Sequence, residues 1–86
     1  MRKKFIFYGQ VQGVGFRFRV MMLAKKFDIF GWIENNHDRS VTLVAEGLEE
    51  NIESLVDRLK DYFQNNIENI KESIEKDEGL IDFEIK

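Results

Sequence analysis

Apolar and polar positions follow two rhythms along this chain, and the switches between them mark its elements. Lys3 to Tyr8 is a short aromatic and β-branched run halted by Gly9, the signature of a strand. From Gly9 to Gly15, in Gly9-Gln10-Val11-Gln12-Gly13-Val14-Gly15, three of seven residues are glycine, a loop whose backbone can approach another group closely. Phe16, Val20, Leu23, Ala24 and Phe27 then recur at helical spacing, predicting an amphipathic helix. Asp28 to Asn35 returns to a strand pattern around Gly31-Trp32-Ile33, and Asn36-His37-Asp38-Arg39-Ser40 reads as a polar turn. Val41, Leu43 and Ala45 alternate with Thr42, Val44 and Glu46, so the two strands form a predicted hairpin.

After Gly47 the helical rhythm resumes. Ile52, Leu55, Val56, Leu59 and Phe63 make one stripe, with Glu49 and Glu50 at its start and Arg58 and Lys60 late, the charge order a helix dipole favours. Asn65-Asn66 ends it. Ile81, Phe83 and Ile85 alternate with Asp82, Glu84 and Lys86, a half-buried strand. Between them, Ile67, Ile70 and Ile74 fit a helical stripe better than strict alternation, so periodicity predicts a short helix within Ile67 to Glu75. The order suggests an α+β sandwich, a mostly antiparallel sheet with both helices on one face. No repeat or linker interrupts it, and residues 1–86 read as a single domain.

Composition narrows the function. With 43% hydrophobic residues and eight Phe, the chain has enough apolar material for a core. It contains no cysteine and one histidine, which excludes thiol nucleophiles, disulfides and Cys- or His-rich metal centres. A formal charge of −3 gives no bulk attraction to nucleic acid or to an anionic membrane. No apolar run approaches the roughly 20 residues of a membrane span, and the basic-then-apolar start is too short for a signal sequence. The expected compartment is the cytoplasm.

The informative chemistry lies where the glycine loop meets the first helix. A helix beginning near Phe16 points its free N–H groups and positive dipole end at that loop, and the glycines let further N–H groups converge there. Arg17, in the first turn, adds a forked guanidinium suited to two phosphate oxygens. On pattern alone, a tight turn beside a solvated arginine explains the same residues as well. The segment is neither a Walker loop, lacking Gly-Lys-Ser/Thr, nor a dinucleotide fingerprint, since Phe18 stands where the third glycine belongs.

Gly9-Gln10-Val11-Gln12-Gly13-Val14-Gly15-Phe16-Arg17 resembles the signature loop of the acylphosphatase family, G-x-V-Q-G-V-x-F-R. Gly31-Trp32-Ile33-Glu34-Asn35 resembles its second signature, G-W-V-x-N, and Val41 through Ala45-Glu46-Gly47 resembles the strand and A-E-G turn that follow. The likeness spans nearly the whole chain. It implies a ferredoxin-like α/β sandwich: an antiparallel sheet of four or five strands with two helices packed on one face. It also implies that Ile67–Glu75 is a strand, and that reading is preferred here because tertiary pairing overrides local pattern in short segments.

The resemblance further implies a hydrolase that splits the mixed anhydride between a carboxylic acid and phosphate, without cofactor, metal or covalent phosphoenzyme. The family's phosphate-binding arginine maps onto Arg17 and its water-positioning asparagine onto Asn35. The cradle maps onto Gln12, Gly13, Val14, Gly15 and Phe16, acting mainly through backbone N–H groups. Expected partners are a small acyl phosphate as substrate and inorganic phosphate as product and inhibitor. Neither nucleic acid nor membrane is expected, and the chain is expected to act as a monomer. Two departures stand out: the family's hairpin turns on Asp-Gly where this chain has Asp38-Arg39, and the Gly-Pro after its second helix is here Asn65-Asn66. Arginine at a turn position with positive φ carries strain, close in sequence to Asn35.

Other residues read more simply. His37 and Asp38 are solvated turn residues, Met21 and Met22 pack a helix, and Trp32 is a sheet residue bordering the pocket at most. Arg19 is a surface residue, and the Lys-Glu run through Glu68 to Glu78 is a solvated edge. The runner-up function is a ferredoxin-like RNA-binding module, since Gly13-Val14-Gly15-Phe16-Arg17-Phe18 faintly echoes an RNA-recognition strand. Only twelve residues precede that stretch, leaving no room for the partner motif, and the acidic balance opposes it. A phosphate-binding relative without activity, or a piece of a larger carbamoyl-phosphate-using enzyme, is disfavoured by the retention of both Arg17 and Asn35 in a chain that ends with the domain.

Overall fold

The computed structural model describes every residue from Met1 to Lys86 and contains seven elements. These are β1 (Arg2–Gly9), α1 (Phe16–Lys26), β2 (Phe30–Asn35), β3 (Val41–Glu46), α2 (Glu49–Tyr62), β4 (Ile67–Glu75) and β5 (Phe83–Ile85). They form one five-stranded sheet in the order β4-β1-β3-β2-β5, the ferredoxin-like βαββαβ arrangement with an added edge strand. Phe5 and Phe7 of β1, Ile33 of β2, and Val41, Leu43 and Ala45 of β3 share a single core cluster with residues of both helices. Both helices therefore cover the same sheet face. Phe16 and Phe63 extend Phe7 into an aromatic row, with ring centroids 5.0 Å and 4.8 Å apart, that joins sheet, α1 and the end of α2. Full burial of side chains such as Leu43, Ile52 and Leu59 contributes about 1.5–3 kcal/mol each. No helix is long and apolar enough to cross a membrane.

The structure departs from the local sequence pattern at several points. First, β2 starts at Phe30 rather than Asp28, because Asp28 takes φ +52 in the turn that leaves α1. Gly31 follows at once, and no side chain fits there, since a Cβ would lie 1.9 Å from the Val44 carbonyl oxygen. Second, Ile67–Glu75 is a strand, the reading preferred above on the resemblance, although its periodicity suggests a helix. Tyr8 faces Asn69 while Gly9 faces Ile67, so one extra residue bulges on β4 and lets Ile67 and Ile70 both pack against the core. Glu72 interrupts the alternation between Ile70 and Ile74, and its carboxylate is taken up by Lys3 Nζ at 3.2 Å.

Third, the sheet is mixed, because β5 pairs parallel with β2 while the other pairings are antiparallel. The chain leaves β4 at the end of the sheet near Arg2, crosses it, and meets β2 at Gly31, where β2 begins. Entering there, it can only run alongside β2 in the same direction. Fourth, β5 is shorter than expected: Phe83 is buried but Ile81 is 88% exposed, lying in the crossing segment. Central β3 is buried along its full length rather than on alternate residues.

That crossing segment is anchored by Glu46. Its carboxylate accepts the N–H groups of Glu78, Gly79 and Leu80 at 2.7, 3.0 and 2.7 Å, while Arg2 holds Glu75 and Glu78 nearby, each at 3.0 Å. The hydrogen bond from Leu80, with those from Gly79 and Glu78, holds the Glu46 carboxyl below its usual range against the opposing effect of burial. A folded pKa below the unfolded value near 4.3 gives stabilisation that is complete above that value and fades as pH falls through the folded pKa. Glu46→Gln is therefore expected to cost about 2 kcal/mol at pH 7, on the scale of hydrogen bonds to a charged group. The Tm gap between variant and wild type should narrow between pH 5 and pH 3. An equal gap at both ends would remove the carboxylate charge from the anchor.

Candidate active site

At the opposite end of the sheet, β1 runs out into the glycine loop, α1 begins, and β2 ends at Asn35. Gly13, Gly15, Phe16, Arg17 and Asn35 line one open depression there, so the arginine and the asparagine share a single site. Of the other expected cradle residues, Val14 is 42% exposed and neither it nor Gln12 lines the depression.

The loop takes a form that glycine permits. Gly13 and Gly15 have φ of +76° and +80°, and Gly15 occupies the N-cap position of α1 in the left-handed conformation with no side chain capping the helix. No backbone or side-chain acceptor of the protein receives the N–H of any residue from Gln12 to Phe18. The positive end of α1 is thus uncompensated, and α1 has no acidic residue in its first turn, whereas α2 has Glu49 and Glu50. Placing Arg17 in that turn sets a cation against the dipole, an arrangement that opposes folding and favours an anion. Broken local rules of this kind are what functional or strained positions carry.

Arg17 is half-buried, and its Nη1 donates to the main-chain carbonyl of Lys86 at 2.9 Å, which leaves the remaining N–H groups of the fork unengaged. Asn35 is exposed at the end of β2, its backbone paired with Val41 and its side-chain amide unbonded to the protein. The neighbouring Asn36 is the amide that holds the turn. Asn36 Nδ2 donates to Ser40 Oγ at 2.9 Å and to Thr42 Oγ1 at 2.8 Å. Arg39 does adopt φ +75°, but the β2–β3 ladder stays in register through Asn35. The turn is further closed by Ser40, whose Oγ and N–H both donate to Asp38; the hydroxyl first and the N–H second keep that carboxyl below its usual range.

Gln12 has a role the sequence did not reveal. Its side-chain amide donates to the carbonyls of Asn36 and Ser40 at 3.0 and 3.1 Å, tying the glycine loop to the hairpin turn that follows Asn35. The loop and the asparagine are therefore coupled through one side chain. The only available hint in the sequence was a polar side chain in a loop otherwise built from glycine and valine. Arg19, expected on the surface, is half-buried with its guanidinium 4.0 Å from the Tyr62 ring centre. Trp32 does not line the depression and instead lies between the Lys86 ammonium and the Arg2 guanidinium, 4.2 and 5.2 Å from its ring centre. His37 is exposed.

A cleft of comparable size between α2 and β4 is less suited to an anion. Glu53, Asp57 and Glu72 wall it, and the charge of Lys3 is already taken by Glu49 and Glu72 at 3.6 and 3.2 Å.

The sequence profile described as Acylphosphatase matches residues 3–85. An acylphosphatase of Bacillus licheniformis is 43% identical over 56 residues, which span 65% of this chain and 62% of that protein. An acylphosphatase of Bacillus subtilis is 42% identical over 60 residues, 70% of this chain and 66% of its own length. The aligned segments thus span slightly less than two thirds of those two relatives. The crystal structure of acylphosphatase from Bacillus subtilis superposes on 99% of this chain and 97% of its own, with a TM-score of 0.88 at 34% identity.

Proposed function

The chain belongs to the acylphosphatase family, and we propose that it hydrolyses acyl phosphates, with Arg17 holding the phosphoryl group and Asn35 orienting the attacking water. One observation carries this reading: Arg17 and Asn35 border the same depression as a loop whose N–H groups the protein leaves unused.

The proposed chemistry needs little from the protein beyond charge and position. The phosphoryl oxygens sit in the loop, receiving N–H groups from the Gln12–Phe16 stretch, the positive end of α1 and the free part of the Arg17 fork. The Asn35 carbonyl accepts a hydrogen bond from a water in line with the bond to be broken. The water oxygen attacks phosphorus as the bond between phosphorus and the bridging oxygen breaks. The carboxylate leaves with the electron pair, and a water proton passes to a substrate oxygen, since a carboxamide is no base at neutral pH. Because a carboxylate is a good leaving group, no activated side-chain nucleophile is called for.

The test is release of inorganic phosphate from benzoyl phosphate in the presence of a chelator. Turnover by the wild type is expected, with free phosphate inhibiting competitively because product and substrate share the cradle. Absence of turnover would overturn the hydrolase reading, and noncompetitive inhibition would move the phosphate out of the depression.

A further inference from the structure

The proposed phosphate site has an apolar side that phosphate does not need. Phe18 stands in the first turn of α1, off the buried stripe of Phe16, Val20, Leu23 and Ala24, and is 65% exposed. Its ring thus adds little to the core, yet it borders the depression that holds Arg17 and Asn35. Ile85 borders the same depression from β5 and is 41% exposed. It lies opposite fully buried Ile33, on the sheet face that packs the helices, so it carries the apolar surface of the core out into the depression. Val11 and Phe16, each 1% exposed, form the floor between them.

A phosphoryl group gains from N–H donors and a guanidinium; an exposed phenyl ring and a branched aliphatic side chain offer it nothing. They suit the other half of the molecule. We propose that Phe18 and Ile85 form a lip that receives the acyl group, so that this chain prefers aryl or alkyl acyl phosphates to those whose acyl group is small and polar. The inference rests on the hydrolase reading above and names the substrate class within it. The lip is open on one side and polar on the other, which sets the gain at partial burial of an acyl chain rather than full enclosure, about tenfold in kcat/KM.

Two pairs of probes test this. In the first, kcat/KM is measured for benzoyl phosphate and carbamoyl phosphate in wild type, Phe18→Ser and Ile85→Ser; comparing ratios cancels the different intrinsic reactivities of the two anhydrides. The ratio is expected to fall about tenfold in Phe18→Ser and in the same direction, less steeply, in Ile85→Ser, mainly through KM for benzoyl phosphate. In the second, binding of benzylphosphonate and methylphosphonate is measured by calorimetry, since neither can be hydrolysed and both carry the same charge. The wild type should bind benzylphosphonate more tightly, and Phe18→Ser should lose most of that margin. Both side chains are largely exposed or at the sheet edge, so both variants are expected to fold, with an unchanged Tm as the check. A benzoyl-to-carbamoyl ratio unchanged in both variants, or equal affinity for the two phosphonates, would overturn the lip. Loss of turnover with the phosphonate margin intact would overturn the hydrolase reading alone and leave the lip standing.

Discussion

Arg17→Ala is expected to lower kcat/KM for benzoyl phosphate by about a hundredfold or more, the scale on which one preorganised transition-state contact acts. The guanidinium stands at the uncapped start of α1, beside N–H groups with no acceptor in the protein, where its field adds to theirs on any bound phosphoryl group. Arg17→Lys should fail nearly as badly. One bond of the fork already goes to the Lys86 carbonyl, and a point charge cannot hold that anchor and grip two phosphate oxygens together. Stability should move the other way or not at all. A cation in the first turn opposes the dipole of α1, so removing it relieves a repulsion of a few tenths of a kcal/mol, offset by the lost contact to Lys86. An activity loss with Tm unchanged or slightly raised is therefore the expected pattern. Unchanged turnover in Arg17→Ala would take the arginine out of the mechanism, and a collapsed Tm would assign it to the fold instead.

How far such a site can be read without coordinates depends on how local its causes are. The glycine loop, the start of α1 at Phe16 and the hairpin between β2 and β3 were legible because each follows from a few adjacent residues: φ-permissive glycines, a stripe at helical spacing, a polar turn between alternating runs. The failures share a different origin. Periodicity misread Ile67–Glu75 because a bulge opposite Tyr8 and Gly9 and an ion pair from Lys3 to Glu72 disguise the alternation, and both depend on the strand at the other end of the sequence, β1. The parallel pairing of β5 follows from where the crossing segment meets β2, and that segment is held by the Glu46 carboxylate, which sequence could not connect to residues 78–80. At the candidate site, the family resemblance pointed to Arg17 and Asn35, which the fold brings to one depression. Gln12 as a tie between loop and hairpin was not legible, because a side chain that bonds two carbonyls 24 and 28 positions further along leaves no periodic trace.

Asn35→Ala should show a different kinetic signature from the arginine variants: kcat down by about a hundredfold, with KM for benzoyl phosphate nearly unchanged. A group that orients water contributes where the new bond forms rather than where the substrate rests, so its loss falls on kcat. The fold makes this separation observable. The Asn35 side chain has no partner within the protein, and its backbone pairing with Val41 survives truncation, so the variant should keep its Tm. Asn36→Ala is the contrasting case, since it removes two side-chain bonds that close the turn and would shift Asn35 only through a loosened hairpin. Asn35→Asp keeps shape but replaces a neutral amide with an anion beside the phosphoryl group, so it should lose activity with a raised KM, through charge repulsion. A neutral carboxamide is thus the chemistry this corner of the sheet can use: it accepts a hydrogen bond from water without repelling the dianion next to it. Equal losses in KM and kcat for Asn35→Ala would instead make the residue a substrate contact and return the positioning of water to the loop.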